Sequence, residues 1–187
     1  MDQDRQRLLE LLKIKSYRSG EVVLASGKVS DFYIDCRQTA LSSEGHLLIG
    51  RIFFELISNK FPEAVAVGGP TLGADPMISA VSLTSQIAGH PLQAFIVRKE
   101  SKGHGTGAWI EGMANLEPGA KVVMLEDVVT SGGSLLKAIT KAEDAELNVQ
   151  CAMVLVDRLE GGRQAVEDAG HQLISLFTRN DFLGEAK

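Results

Sequence analysis

The sequence predicts a single α/β domain in which a mostly parallel central sheet is flanked by helices. Short apolar runs alternate with amphipathic helical patterns through most of the chain. These runs are almost continuously apolar, which is typical of strands covered on both faces. The chain has 187 residues, 44% of them hydrophobic, and shows neither an internal repeat nor a Pro/Ser-rich linker. We therefore expect one domain over residues 1–187.

Composition disfavours several classes of function. The net charge of −5 argues against a broad electropositive face for nucleic acid, and no apolar run reaches the length that crosses a membrane. Cys36 and Cys151 are the two cysteines, without C-x-x-C spacing, and the N-terminus lacks a basic-then-apolar pattern. We expect a cytoplasmic protein with no membrane and no nucleic-acid partner.

The first 40 residues differ in pattern from the rest. A helix is predicted over 2–14, followed by extended runs at 22–24 and 32–34 that flank a turn-like tetrad. We interpret these runs as a small hairpin-like hood, separate from the main sheet. The hood would occupy about 1–40 and the core about 41–187.

The core begins with a long helix from Ser43 that ends before Pro62. Strands are then predicted at 64–67, 94–97, 122–125, 151–156 and 173–177, and helices at 76–88, 134–146 and 163–169. In such sheets ligands bind beyond the carboxyl ends of the strands. The residues that follow each strand are therefore the first candidates for a site.

The segment 122–134 carries the first candidate. An apolar run is followed by Glu126 and Asp127, and then by the residues Val128, Val129, Thr130, Ser131, Gly132, Gly133 and Ser134. A Gly-rich, hydroxyl-rich turn at a helix N-terminus presents backbone N–H groups to a phosphate. Adjacent carboxylates suit a vicinal diol or a hydrated divalent cation. The combination predicts a sugar phosphate lying across the loop.

Two alternatives apply to this segment. Thr130 or Ser131 could cap the helix while the two acids are solvated at a strand end. The acidic pair after four apolar residues also resembles a Walker-B strand. A G-x-x-x-x-G-K-[ST] motif is absent from the sequence, which argues against a nucleoside triphosphatase.

The segment 98–107 carries the second candidate. Arg98, Lys99, Lys102 and His104 lie among glycines that disfavour regular structure. These groups suit a flap that closes over a polyanion, and a solvated basic loop is the plain alternative.

A dinucleotide-binding pattern is a further alternative for the same segment. Gly103, Gly105 and Ala108 satisfy G-x-G-x-x-[G/A], with Asp127 near the expected ribose spacing. That pattern must open a packing helix, and Gly112 with Pro118-Gly119 leaves only a poor one. We therefore reject it.

These two segments resemble those of a known family. Segment 126–134 is similar to the 5-phosphoribosyl 1-diphosphate (PRPP) motif of type I phosphoribosyltransferases, and its V-V-T-S-G-G-S is most similar to the orotate branch. The order R-K-E-x-K-x-H-G resembles the catalytic loop of orotate phosphoribosyltransferases. The resemblance covers nearly the whole chain and implies the type I phosphoribosyltransferase fold. It also implies transfer of the 5-phosphoribosyl group from PRPP to orotate, giving orotidine 5'-phosphate and diphosphate in de novo pyrimidine biosynthesis.

The resemblance also implies residue roles. Lys102 and Asp127 would be catalytic, and PRPP would be bound by Arg98, Lys99, Lys102, His104, Glu126, Asp127 and the residues from Val128 to Ser134. In the family the flap reaches into the neighbouring subunit's site, which implies a homodimer. Mg²⁺ would arrive with the substrate phosphates rather than on dedicated protein ligands.

Base recognition is implied at other strand ends. Arg158 follows a predicted strand and would bind orotate together with Thr130, since a planar guanidinium pairs bidentately with a carboxylate. In the hood, Lys28, Phe32 and Tyr33 are further candidates, although Ala25 stands where many members carry a Lys.

The loop at 68–76 would contact diphosphate through residues such as Thr71, although Gly73 stands where some members have a Lys. Two rivals remain. A purine or uracil phosphoribosyltransferase should lack the flap motif, and a PRPP-sensing regulator would use the fold without catalysis.

Overall fold

The computed structural model describes residues 2–23, 29–100 and 109–183. The N-terminal part is a helix and a hairpin. Helix α1 (Asp2–Lys15) buries the predicted stripe of Leu8, Leu11 and Leu12. Strands β1 (Tyr17–Val23) and β2 (Val29–Ile34) form an antiparallel sheet of their own, as the hood prediction required.

Two helices lead from the hood into the core. The short helix α2 (Arg37–Ala40) was not predicted, whereas the long helix α3 (Ser43–Lys60) matches the sequence pattern. Helix α3 begins where it does because the Ser42 side chain accepts a hydrogen bond from the Gly45 N–H, at 3.2 Å.

The main sheet follows the predicted alternation of strands and helices. The described elements are β3 (Ala66–Pro70), α4 (Asp75–Ile87), β4 (Gln93–Val97), β5 (Ile110–Glu111), a 3₁₀ turn (Met113–Asn115), β6 (Lys121–Val129), α5 (Gly133–Asp144), β7 (Asn148–Asp157), α6 (Gly162–Asp168), β8 (Leu173–Thr178) and α7 (Asn180–Leu183). Among these residues the strand order is β5-β4-β3-β6-β7-β8, and only the β4–β5 pair is antiparallel.

Both faces of the sheet are covered, which explains the nearly continuous apolar runs. In β6, Val123 and Leu125 pack into one core together with residues of α1, α3 and α4. Val122 and Met124 point to the opposite face and pack with residues of α5. The mostly parallel α/β sheet predicted from the sequence is confirmed.

The order of the strands creates a switch point. From β3 the chain passes to β4 on one side, and β6 then lies on the other side of β3. Connections therefore diverge at the carboxyl ends of β3 and β6, which leaves a crevice between them.

Some strands differ from the prediction, beginning with β3, which covers Ala66–Pro70 rather than 64–67. Strand β6 does not stop at residue 125 but continues to Val129, because its pairing with β7 extends to Val128 with Val156 and Val129 with Asp157. The antiparallel edge strand β5 was not predicted. In the part of the chain that the structure describes, no helix combines the length and the apolar character needed to cross a membrane.

Candidate functional site

A cavity of about 330 Å³ lies in the crevice at the switch point, and we call it the switch-point pocket. The hood, the β3–α4 loop, the end of β4 and the segment from β6 to α5 all contribute walls. Its lining residues are Tyr33, Ile34, Asp35, Arg37, Pro70, Thr71, Leu72, Gly73, Lys99, Glu126, Asp127, Val128 and Ser134.

The acidic pair forms the floor of this pocket and lies within β6, not after it. Glu126 is 6% exposed, and its carboxylate accepts a hydrogen bond from the Ser134 hydroxyl at 3.1 Å. The Asp127 carboxylate accepts one from the Val128 N–H at 2.9 Å. The reading of these two acids as solvated strand-end residues is therefore wrong, since the sheet buries Glu126 and fixes both side chains.

Burial changes the proton affinity of this pair. Desolvation raises the pKa of Glu126, and the neighbouring Asp127 charge raises it further. Desolvation also raises the pKa of Asp127, against the opposing effects of its hydrogen bonds and of the Arg37 charge. Burial disfavours the charged form of both carboxyl groups. A ligand that donates hydrogen bonds to the carboxylates would therefore stabilise that charged form.

The turn between β6 and α5 leaves its N–H groups available. Gly132, at the N-cap position, has φ of 81°, and no side chain caps the first turn of α5. Thr130 and Ser131 therefore do not act as the helix cap that the alternative interpretation required. A glycine is needed at position 132 because φ is positive there and the Gly162 carbonyl lies 3.0 Å from where a Cβ would stand.

The β3–α4 loop packs directly against the acidic pair. A Cβ at Gly73 would lie 2.3 Å from Asp127 Oδ1, so any side chain at this position must displace that carboxylate. This contact explains why a Lys does not fit here in the observed arrangement. Thr71 lines the pocket, and its hydroxyl donates to Asp75 Oδ2 at 2.7 Å.

The basic segment starts at the opposite wall. Lys99 is exposed and lines the pocket, whereas the Arg98 guanidinium lies 3.0 Å from Glu111 of β5. The Arg98 N–H donates to the Trp109 carbonyl at 2.9 Å, so these two residues are joined at the edge of the sheet. Lys102 and His104 lie outside the described residues.

The hood contributes one of its two predicted aromatic rings. Tyr33 lines the pocket. Phe32 is fully buried against Tyr17 and Phe182, at ring-centroid distances of 5.2 and 5.7 Å. In this arrangement the ring of Phe32 is enclosed by the core, and its candidate role in base recognition stays a prediction. Lys28 lies outside the described residues.

Arg158 lies beside the pocket rather than in its lining. Its Nη2 atom donates to the Phe32 carbonyl at 3.4 Å and lies 2.8 Å from Glu160 Oε1. Its backbone N–H donates to the Val129 carbonyl at 3.0 Å, which places it next to Thr130. The structure thus brings Arg158 and Thr130 together under the hood, outside the walls formed by Tyr33 and the acidic pair.

Sequence reasoning missed Asp35 and Arg37. The Arg37 guanidinium holds the Asp35 carboxylate through two contacts, Nε to Oδ1 at 2.7 Å and Nη2 to Oδ2 at 3.0 Å, and both residues line the pocket. This pair lowers the pKa of Asp35. A signal was present in the sequence, because Asp35 directly follows a predicted strand of the hood and Arg37 lies two residues later.

Comparisons with known proteins agree with this architecture. The family model described as "Phosphoribosyl transferase domain" matches residues 41–171. A curated relative from Sorangium cellulosum, named orotate phosphoribosyltransferase, is 48% identical over 180 residues, covering 96% of this chain and 93% of the relative.

Solved structures give the same result. The crystal structure of Mycobacterium tuberculosis orotate phosphoribosyltransferase with Fe(III) dicitrate has a TM-score of 0.83 at 36% identity, covering 97% of this chain and 99% of that one. The structure of the same enzyme with PRPP has a TM-score of 0.78 at 33% identity, covering 96% and 98%.

Proposed function

The chain belongs to the orotate phosphoribosyltransferase family and is a pentosyltransferase of pyrimidine biosynthesis, and we propose that its two substrates meet in the switch-point pocket. The reaction of the family transfers the 5-phosphoribosyl group of PRPP to orotate and releases diphosphate. One observation carries the proposal. The buried pair Glu126 and Asp127 lies in one crevice with the uncapped first turn of α5.

The acidic pair would hold the ribose of PRPP. Ionised carboxylates only accept hydrogen bonds, and the two ring hydroxyls of ribose can donate them. Because Glu126 is buried and fixed by Ser134, little ordering is needed when the sugar binds. Asp127 would then keep C1 of the ribose in line for substitution.

The turn at 130–134 would hold the 5'-phosphate. The N–H groups of the first helical turn and the positive end of the α5 dipole both favour a phosphate at this position. The hydroxyls of Thr130 and Ser131 add donors, since neither caps the helix.

The diphosphate would lie toward the opposite wall. Lys99 and Thr71 line the pocket on that side, and we assign them, with Arg98, Lys102 and His104 from the family resemblance, to the diphosphate. Their positive charge would stabilise the negative charge that develops on the leaving diphosphate. The C1–O bond breaks as the bond from the orotate nitrogen to C1 forms, so positioning and charge replace a covalent nucleophile.

A Mg²⁺ ion fits this arrangement as a companion of the substrate. The described residues contain no group of three or more His, Cys, Asp or Glu side chains that could hold a metal, whereas Glu126 and Asp127 supply two carboxylates in the pocket. Mg²⁺ prefers one or two carboxylates with phosphate oxygens and waters. When bound, the ion would neutralise charge on the diphosphate.

Orotate would bind under the hood. Arg158 and Thr130 are neighbours there, and Tyr33 presents the open aromatic side chain of the hairpin. We assign the orotate carboxylate to Arg158, whose guanidinium already contacts the hood at the Phe32 carbonyl. Lys28 is a second candidate for the same carboxylate.

We further propose one domain over 1–187 that forms a homodimer in the cytoplasm, with the flap of each subunit completing its partner's pocket. Cys36 and Cys151 are both buried thiols, which agrees with a reducing compartment.

The proposal is tested by measuring diphosphate release from PRPP with orotate, uracil or adenine. We expect release with orotate that falls at least a hundredfold in Asp127→Asn, since charge-assisted hydrogen bonds to the ribose are lost. Release with adenine or uracil alone would assign the chain to another base. PRPP binding without release for any base would favour the sensing regulator.

A further inference from the structure

The loop between β7 and α6, residues 158–161, pairs Arg158 with a carboxylate of the protein itself. The Arg158 Nη2 atom lies 2.8 Å from Glu160 Oε1. The Arg158 side chain is 12% exposed, whereas the Glu160 side chain is 37% exposed. The guanidinium assigned to the carboxylate of orotate is therefore already paired, and its partner lies at the edge of solvent.

Both ends of this loop are fixed. Asp157 is fully buried at the end of β7, and its Oδ1 atom accepts a hydrogen bond from the Leu159 N–H at 2.8 Å. Leu159 has φ of 58°, a conformation typical of tight turns. At the other end, a Cβ at Gly162 would lie 2.6 Å from the Thr130 carbonyl oxygen, so α6 starts against the turn assigned to the 5'-phosphate. The side chain of Glu160 can therefore rotate into solvent while the backbone around it stays in place.

The contacts of Arg158 use the nitrogen that a bidentate ligand needs. A guanidinium pairs with a carboxylate along one of two edges, Nε with Nη2 or Nη1 with Nη2, so Nη2 takes part in both. Its two hydrogens have two acceptors here, Glu160 Oε1 at 2.8 Å and the Phe32 carbonyl at 3.4 Å. A second carboxylate can pair bidentately only after one acceptor leaves. Phe32 is fully buried, so Glu160 is the acceptor that gives way.

An exchange of carboxylates keeps the guanidinium paired before and after the ligand binds. The carboxylate of the ligand takes the charge-assisted hydrogen bonds, and the displaced Glu160 carboxylate is hydrated by solvent. A base that lacks a carboxylate has nothing to exchange, so Arg158 stays with Glu160. The cost of breaking this ion pair therefore falls on anionic bases alone.

We propose that Glu160 is a specificity-determining residue, which occupies the Arg158 guanidinium until the carboxylate of orotate displaces it. This role rests on the proposed function, namely on the assignment of the orotate carboxylate to Arg158. Glu160 lowers the affinity for orotate and for orotidine 5'-phosphate, and it pairs with Arg158 again when the product leaves.

Two nucleotides that differ only in the ring carboxylate test this role, orotidine 5'-phosphate and uridine 5'-phosphate. Calorimetry with the full-length protein measures the dissociation constant of each. Glu160→Gln keeps the size of the side chain and removes its charge. We expect the dissociation constant of orotidine 5'-phosphate to fall about threefold or more, and that of uridine 5'-phosphate to change by less than about 1.5-fold.

Three control proteins show where the effect arises. Glu167→Gln removes the same charge from α6, where Glu167 lies 3.4 Å from Arg163, and both dissociation constants should stay at their wild-type values. Arg158→Ala should weaken the binding of orotidine 5'-phosphate and remove most of its advantage over uridine 5'-phosphate. Glu160→Gln added to Arg158→Ala should then change neither constant, since the pair is already broken.

Failure of this inference and failure of the proposed function are distinguishable. If Arg158→Ala leaves the preference for orotidine 5'-phosphate unchanged, the carboxylate is bound elsewhere, and the role of Glu160 falls with that assignment. If Arg158→Ala removes the preference but Glu160→Gln does not tighten binding, Arg158 keeps its role and Glu160 is not displaced. Equal tightening by Glu160→Gln with and without Arg158 would show repulsion between charges in place of displacement, and would also overturn the proposal.

Discussion

The β6 wall and the β4 wall of the switch-point pocket carry opposite charges, and the protein holds them differently. On the β6 wall, Glu126 is buried and both carboxylates have fixed hydrogen-bond donors. On the β4 wall, Lys99 is exposed and begins a Gly-rich segment. A rigid wall suits the ribose, which keeps its hydroxyls throughout the reaction. An exposed wall suits a diphosphate that must arrive, gain charge and leave.

The largest expected effect concerns the β4 wall. Lys102→Ala should lower turnover by about a thousandfold or more, because the lost charge acts on the leaving diphosphate, while the melting temperature stays within about 2 °C. Steady-state kinetics and a thermal melt check this. Turnover within tenfold of wild type would remove Lys102 from the mechanism.

A mixture of two variants tests whether that wall is shared between subunits. Combining Lys102→Ala with Asp127→Asn should restore activity if each pocket draws its flap from the partner, since a mixed dimer has one intact site. If subunits exchange and no activity returns, the flap serves its own chain.

The next effect concerns the base. Arg158→Ala should reduce orotate's advantage over uracil in kcat/KM by about a thousandfold, because uracil cannot pair with the guanidinium. PRPP affinity should change far less. Arg158→Lys keeps the charge without the planar guanidinium. Its preference for orotate over uracil should lie between those of the wild type and Arg158→Ala. An unchanged preference for orotate would move carboxylate recognition toward Lys28.

The buried acid of the β6 wall, Glu126, predicts a smaller effect, in which a substitution raises the stability of the folded protein. Because the folded-state pKa of Glu126 is raised above its ordinary value of 4.5, its contribution is fully present below that value and is lost as pH rises through the raised pKa. Glu126→Gln should therefore stabilise the free protein by about 1–2 kcal/mol at neutral to alkaline pH, and by less near pH 5.

Denaturant unfolding at several pH values measures this dependence. Glu63→Gln is the control, since Glu63 is exposed and its pKa is lowered by Lys121. Glu63→Gln should not raise the stability of the folded protein at any of these pH values. A Glu126→Gln protein that loses stability at every pH would show that the acidic pair is held in its ionised form by favourable contacts.

The smallest effect concerns the contact between the loop and the acidic pair. Gly73→Ala should raise the KM for PRPP about fivefold, because the new Cβ displaces the Asp127 carboxylate. In an Asp127→Ala background the same change should have little effect, since nothing remains to displace. An equal effect in both backgrounds would assign the role of Gly73 to backbone conformation.

Much of the core was predictable because its strands are buried on both faces. The extension of β6 through Glu126 and Asp127 was not, since polar residues in a strand break the apolar run and only pairing with β7 reveals them. The two-residue strand β5 is too short to produce a periodic pattern.

The two aromatic candidates of the hood, Phe32 and Tyr33, differ in where their side chains lie. Phe32 and Tyr33 are neighbours in a strand, so their side chains point to opposite faces and both cannot meet one base. Strand periodicity alone could have separated them. The bidentate Arg37–Asp35 pair could not be placed from sequence, because its position depends on how the hood packs on the sheet.

The number of protons released when PRPP binds tests most directly whether the acidic pair holds the ribose. Calorimetry at neutral pH in buffers of different ionisation enthalpy measures that number. Because burial raises the pKa of both carboxyls and the ribose hydroxyls favour their ionised form, the wild type should release more protons than Glu126→Gln. Equal release by the two proteins, with equal affinity for PRPP, would contradict this account of the pocket.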